Sequence, residues 1–96
     1  MFGDMMEKLQ KMQQEMKESK ARLANITVEG QYEGIVIKMD GNRKVKDITI
    51  DPAVAEDIED LQDLLIVAMN KAIEAADNAN ESEMSSKAQD LLGGMM

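Results

Sequence analysis

A seam of apolar residues through the first quarter of the chain constrains the fold more than any other feature. Met5, Leu9, Met12, Met16, Ser19, Leu23 and Ile26 recur at alternating spacings of four and three, which lines them along one face of a helix. Only Ser19 interrupts the stripe, and Gln, Glu, Lys and Arg fill the flanking positions. The spacing predicts a helix over roughly residues 4 to 25 that packs, coiled-coil fashion, against a second helix in the same chain or in a copy of it.

After that helix the period shortens. Ile26, Val28, Gly30 and Tyr32 alternate with polar residues, the two-residue repeat of a half-buried strand. Gly34 opens the run Ile35-Val36-Ile37-Lys38-Met39, and Asp40-Gly41-Asn42-Arg43 supplies Asp-Gly and Gly-Asn pairs that tolerate positive φ in a tight hairpin turn. A third strand follows from Lys44 to Ile50. Ile48 and Ile50 share a face there and Val45 falls on the opposite one, so either a bulge intervenes or both faces are partly covered.

Asp51-Pro52 then reads as a helix start, with Asp capping free N–H groups and Pro suited to the first helical position. Asp57 offers a second cap, in which case a short turn over Ala53 to Glu56 precedes the main helix. Leu64 to Met69 is apolar on every side for nearly two turns, a pattern expected of a segment buried all round. Small residues follow at Ala72, Ala75, Ala76 and Ala79, and Asn78 to Ser86 is polar, with a short further helix expected after it. Residues 1–92 are expected to form one domain and 93–96 a flexible tail. The order is a long helix, a three-stranded antiparallel meander and a long helix, an α+β architecture of the form α-β-β-β-α.

With 96 residues and two aromatics, Phe2 and Tyr32, the chain has little bulk for a core, which makes a second subunit a natural source of burial. Several of its ten Met residues lie in the seam, whereas Met6, Met84, Met95 and Met96 have no assigned partner and suit surface covered in an oligomer. The absence of Cys and His removes disulfides, thiol nucleophiles, imidazole catalysis and the usual zinc sites. No apolar run approaches the ~18 residues of a membrane span, and no signal pattern opens the chain. We read a soluble, cytosolic, non-catalytic chain with no membrane or small-molecule partner.

Charge is unevenly spread. Residues 1–50 hold nine Lys/Arg against eight Asp/Glu, whereas residues 51–96 hold two against eleven, so the net −8 resides in the second half. The acidic run Asp57 to Asp63 lacks the central Gly and alternating oxygens of a calcium loop. It reads as a solvated face that complements a helix N-terminus, and no metal or other cofactor is expected. Lys38, Arg43, Lys44 and Lys46 gather on or beside one hairpin, with Lys44 and Lys46 on one side of its strand. Protection of an edge strand is the simpler explanation from the residues alone. Lys8, Lys11, Lys17, Lys20 and Arg22 flank the seam, where ordinary solubility and pairs such as Glu7 with Lys11 account for them.

Taken in order, several segments resemble the YbaB/EbfC family of small bacterial nucleoid-associated proteins. They are the Met1-Phe2-Gly3 start, Lys8-Leu9-Gln10-Lys11-Met12-Gln13-Gln14, Gly34-Ile35-Val36-Ile37, Ile48-Thr49-Ile50-Asp51-Pro52, Leu61-Gln62-Asp63-Leu64-Leu65 and Ala68-Met69-Asn70-Lys71-Ala72. The resemblance implies a homodimer joined through sheet and helix, with Ile35, Ile37, Leu64, Leu65, Ile66, Val67 and Met69 at the interface and the long helices projecting like tweezer arms. It also implies double-stranded DNA as a partner in the nucleoid, and a link to chromosome organisation, regulation, or recombination and repair proteins.

Together with the local basic clustering, the resemblance selects Lys20, Arg22, Lys38, Arg43, Lys44 and Lys46 for contact with the duplex backbone. One departure stands out. The family pattern puts basic residues on both projecting helices, whereas here the second carries Lys71 and Lys87 against Glu74, Asp77, Glu81, Glu83 and Asp90. The tail also lacks the proline-containing ending common in relatives. Because charges more than about 8 Å apart are largely screened at physiological salt, the local patch decides contact, and binding with a shallow salt slope is expected. No aromatic accompanies the basic residues, which argues against base stacking. The alternative is a protein-interaction adaptor or DNA mimic whose acidic helix docks a basic partner.

Overall fold

The computed structural model describes the backbone of residues 2–93 and the side chains of residues 2–85. Helix α1 spans Phe2–Ala24, strands β1, β2 and β3 span Val28–Tyr32, Ile35–Met39 and Val45–Ile50, and helix α2 spans Ile58–Gly93 after a 3-10 turn at Val54–Glu56. The strands form one antiparallel sheet in the order β1-β2-β3. The α-β-β-β-α order expected from the sequence is the observed one.

Two hairpins build the sheet by different means. Between β1 and β2 the turn is Glu33-Gly34, both at positive φ (45° and 86°), as a two-residue primed turn requires. Glycine takes that conformation without strain at the second position. Between β2 and β3 a longer turn is organised by the buried Asp40 carboxylate, whose Oδ1 accepts from the backbone N of Asn42 (2.8 Å) and of Lys44 (3.0 Å). Positive φ was expected in the Asp-Gly or Gly-Asn pair, but it falls on Arg43 (φ 67°). By tying down residues 42 and 44, Asp40 leaves the residue between them to make the reversal.

A bulge resolves the phase of the third strand. Met39 opposes Val45 and Lys38 opposes Asp47, so Lys46 is the unpaired extra residue. Val45, Ile48 and Ile50 therefore share one face, the face on which Ile35, Ile37 and Met39 are buried. The bulge also breaks the simple alternation that had placed Lys44 and Lys46 side by side.

Helix α2 lies across β1 and β2 on that face. Its contact stripe is Ala68, Ala72 and Ala76, one residue per turn and all 0 % exposed. Because these side chains are methyl groups, the helix backbone comes down onto the sheet at Gly30, where an added Cβ would sit 2.3 Å from Ala68 O and 2.4 Å from Ala72 N. Burying Ile35, Ile37 and Met39 beneath this stripe contributes about 1.5–3 kcal/mol each.

The capping at the start of α2 follows the second of the two starts considered. Asp51 Oδ1 accepts from Ala53 N (3.0 Å) and holds the 3-10 turn, while Asp57 Oδ1 accepts from the N–H groups of Glu59 and Asp60 (3.1 and 3.2 Å). Asp57 is the true N-cap of α2. Thereafter α2 runs unbroken to Gly93, so the polar segment 78–86 is helical and no separate short helix follows. Of the tail expected at 93–96, all but Gly93 lies outside the described residues. No described helix is long and apolar enough to cross a membrane.

Burial within the single chain bears on two expectations. Ile35 and Ile37, expected at a subunit interface, are fully covered by α2 of their own chain. Conversely, the apolar stretch of α2 is not enclosed within one chain. Ala68 is buried and Leu64, Leu65 and Met69 are half-buried, but Ile66 and Val67 are 60 % and 37 % exposed. One sheet face covers only one side of a helix, and Ile66 lies about 200° around the axis from Ala68.

The seam of α1 is equally uncovered. Leu23 is buried, but Met5, Leu9, Met12 and Met16 are exposed, and Ile26 lies beyond the helix end. The molecule is accordingly long, 66 × 23 × 18 Å, with a radius of gyration of 18.9 Å, against about 12.5 Å for a compact chain of this length. Its accessible surface of 7522 Å² exceeds by about 2,000 Å² the area typical of a folded monomer of this mass.

Candidate nucleic-acid interface

The C-terminus of α1 is held by the β2–β3 turn. Gly41 N donates to Leu23 O (2.8 Å), and Asn42 Nδ2 donates to Lys20 O (2.9 Å), so the hairpin satisfies two of the last carbonyls of the helix. Asn80 Nδ2 of α2 reaches Gly41 O at 3.5 Å. Three elements distant in sequence thus meet at one joint, and four of the six cations selected from the sequence sit around it: Lys20 and Arg22 on α1, Arg43 and Lys44 on the turn.

Their electrostatic settings differ. Arg22 donates through Nε to Glu83 Oε1 at 2.9 Å and also through Nη2, while Ser19 Oγ donates to the same oxygen at 3.2 Å. The one polar residue of the α1 seam is thus a point where α1 meets α2. The hydrogen bond to Glu83 raises the Arg22 guanidinium above its ordinary value; desolvation opposes it, and the Glu83 and Glu18 charges add to the rise. Arg43 pairs with Asp77 of α2. Lys20 and Lys44 are exposed and have no carboxylate partner among the described residues.

Lys38 and Lys46 lie on the sheet next to the turn, Lys38 on the face that α2 leaves open and Lys46 at the bulge. In the strand register Lys38 stands between Glu29 and Asp47, and its Nζ lies 3.8 Å from Glu29 Oε1. Lys46 Nζ donates to Thr27 Oγ1 at 3.2 Å. That face alternates in sign, which fits sheet solubility better than an anion-binding surface. Sequence reasoning could not find the pairing of Arg22 and Arg43, because their partners lie 61 and 34 residues away along the chain.

The acidic end of the protomer is separate. At the far end of β2 an open groove of about 480 Å³ lies beside Tyr32 and Leu64, rimmed by Glu33, Asp57, Asp60 and Asp63. Lys71 Nζ stands 5.0 Å from the Tyr32 ring centroid, a cation–π contact. Among the described residues no three carboxylates converge in a metal-holding arrangement.

This fold, with four cations around one joint, has clear relatives. The sequence matches the YbaB/EbfC DNA-binding family over residues 1–91. The chain belongs to that family. Curated relatives include the nucleoid-associated protein CT0805 of Chlorobaculum tepidum, 36% identical over 99% of this chain and 84% of the relative. Another is a nucleoid-associated protein of Chloroflexus aggregans, 42% identical over 95% of this chain and 91% of the relative. Among solved structures, the uncharacterized protein HP0035 of Helicobacter pylori superposes with a TM-score of 0.79 over 96% of this chain and 97% of that one, at 20% identity, and so shares the fold. The YbaB/EbfC family is a DNA-binding family and not an enzyme family.

Proposed function

We propose that this chain is a homodimeric, non-catalytic nucleoid-associated protein that binds duplex DNA through its phosphate backbone at the joint of α1, the β2–β3 turn and α2. The observation that carries the reading is the gathering of Lys20, Arg22, Arg43 and Lys44 around that joint on rigid backbone contacts. Lys20 and Lys44 form the leading contact, since neither is paired with a carboxylate among the described residues. Lys38 and Lys46 play a lesser part, given their neighbours across the sheet.

Dimerisation is supported by what one chain leaves uncovered. Val45 and Ile48 continue the core face onto β3 yet are 42 % and 45 % exposed, and Ile66 and Val67 are bare on α2. The excess surface of about 2,000 Å² per chain suits an obligate partner. A second copy covering β3 and the open side of α2, with Leu64, Leu65 and Met69 at its margin, accounts for it. Such a dimer would reside in the nucleoid and take part in chromosome organisation, regulation, or recombination and repair.

The test is duplex binding followed by fluorescence anisotropy across a salt series, with Lys20→Glu and Lys44→Glu combined. Removing one phosphate-binding cation should reduce the slope of log affinity against log salt by about 0.9. We expect a weakened, flatter response. Unchanged binding would remove the joint from the proposal, and partners pulled down from lysate that survive nuclease and depend on Asp57, Glu59 and Asp60 would favour the acidic adaptor instead.

A further inference from the structure

Of the four cations at the joint, two are already occupied, and both occupants come from α2. Glu83 accepts from Arg22 Nε, Arg22 Nη2 and Ser19 Oγ, and Asp77 accepts from Arg43 Nε. A carboxylate that accepts from a guanidinium N–H takes a donor that a phosphate oxygen would otherwise use. Both arginine side chains nevertheless remain about half exposed, at 53% and 52%, so a duplex can reach them.

We propose that Asp77 and Glu83 are built-in phosphate substitutes that mask Arg43 and Arg22, so that the duplex must displace them to engage the joint fully. The inference rests on the DNA-binding reading above and adds a regulatory element to the same surface. Displacement changes the ionic accounting of binding. When a free cation meets a phosphate, a counterion leaves the DNA and the salt slope steepens by about 0.9. When a paired arginine does so, the released carboxylate takes up a cation from solution, and the net count is close to zero. Masking therefore costs affinity and flattens the salt response together.

The geometry also sets the size of the effect. Exposed ion pairs contribute about 0.2–1 kcal/mol each. Two pairs to be broken correspond to a weakening of roughly 2- to 30-fold per protomer. Asp77→Asn with Glu83→Gln removes the charge and keeps the shape and a hydrogen-bond acceptor, so the fold is retained, as a thermal melt should show.

The experiment compares duplex binding by the wild-type protein, D77N/E83Q and E74Q/E81Q in anisotropy across salt. The last variant removes the same charge from exposed positions of the same helix. D77N/E83Q should bind about 2- to 30-fold tighter, with a slope steeper by about 1.8 per protomer, while E74Q/E81Q keeps the wild-type slope. Adding Arg22→Gln and Arg43→Gln to D77N/E83Q restores the original net charge and should abolish the gain. Equal behaviour of D77N/E83Q and E74Q/E81Q, with the wild type binding, overturns the masking and leaves the DNA-binding reading intact. Failure of every variant to bind at about 50 mM salt overturns both.

Discussion

Replacing Gly30 by alanine probes the tightest of the described glycine sites. The added methyl would lie 2.3 Å from Ala68 O, 2.4 Å from Ala72 N and 2.9 Å from Ala72 Cα, all backbone atoms of α2 that no rotamer change can move. Ordinary contact is about 1 Å longer, so α2 must lift from the sheet along Ala68, Ala72 and Ala76. A gap of about 0.5–1 Å forfeits a quarter to a half of the dispersion attraction across it. The residues beneath, Ile35, Ile37 and Met39, are the largest fully buried side chains among the described residues. Overpacking of this kind typically costs about 1–3 kcal/mol, and the rigidity of both backbones places Gly30→Ala at the upper end. The lower entropy of the unfolded alanine chain returns about 0.4–1 kcal/mol. A net loss of about 2 kcal/mol should lower the melting temperature by roughly 8–16 °C for a domain of this size.

Circular dichroism melts at one fixed protomer concentration give the answer, since a dimer's stability depends on concentration. Gly3→Ala is the internal control. Nothing lies within 4 Å of its added methyl, and alanine in an exposed helix should stabilise by up to about 1 kcal/mol. If Gly30→Ala melts within about 2 °C of the parent, less than about 0.5 kcal/mol, the close seating of α2 on β1 is not what the glycine serves.

Two further outcomes follow from other parts of the fold. Ile48→Asp places a charge on the exposed continuation of the core face; sedimentation should fall from a two-chain mass to the one-chain 10.7 kDa with helix content retained, and an unchanged mass would move the interface elsewhere. Asp57→Ala removes the acceptor for Glu59 N and Asp60 N and should destabilise by about 1 kcal/mol in urea unfolding; no change in the midpoint would mean Asp51 alone carries the start of the helix.

The sequence was most legible where a local rule decides the structure. The alternation through β1, the aliphatic run of β2 and the capping ability of Asp57 are each readable within a few residues. The phase of β3 raised the question of a bulge, but only pairing with Met39 and Lys38 places it at Lys46. The aliphatic run Ile35-Val36-Ile37 looks the same in sequence whether its cover comes from its own chain or another, and here α2 of the same chain covers Ile35 and Ile37. The polar segment 78–86 offered no periodic apolar signal, although its Ala and Glu residues favour helix once α2 is under way. The joint itself was invisible as an assembly. Its cations could be named, but their carboxylate partners depend on how α1, the hairpin and α2 converge.

The grip of the β2–β3 turn on α1 has a mechanical consequence. Among the described residues, α1 is fastened near its C-terminus, through Leu23 O, Lys20 O and the Glu83 contact, while Met5 to Met16 stand exposed beyond it. A helix of 23 residues is a lever about 34 Å long. A rotation of about 5° at such a pivot carries the far end through roughly 3 Å, nearly the length of one nucleotide step. Small adjustments in a few backbone hydrogen bonds thereby become a change in the span over which the molecule can reach.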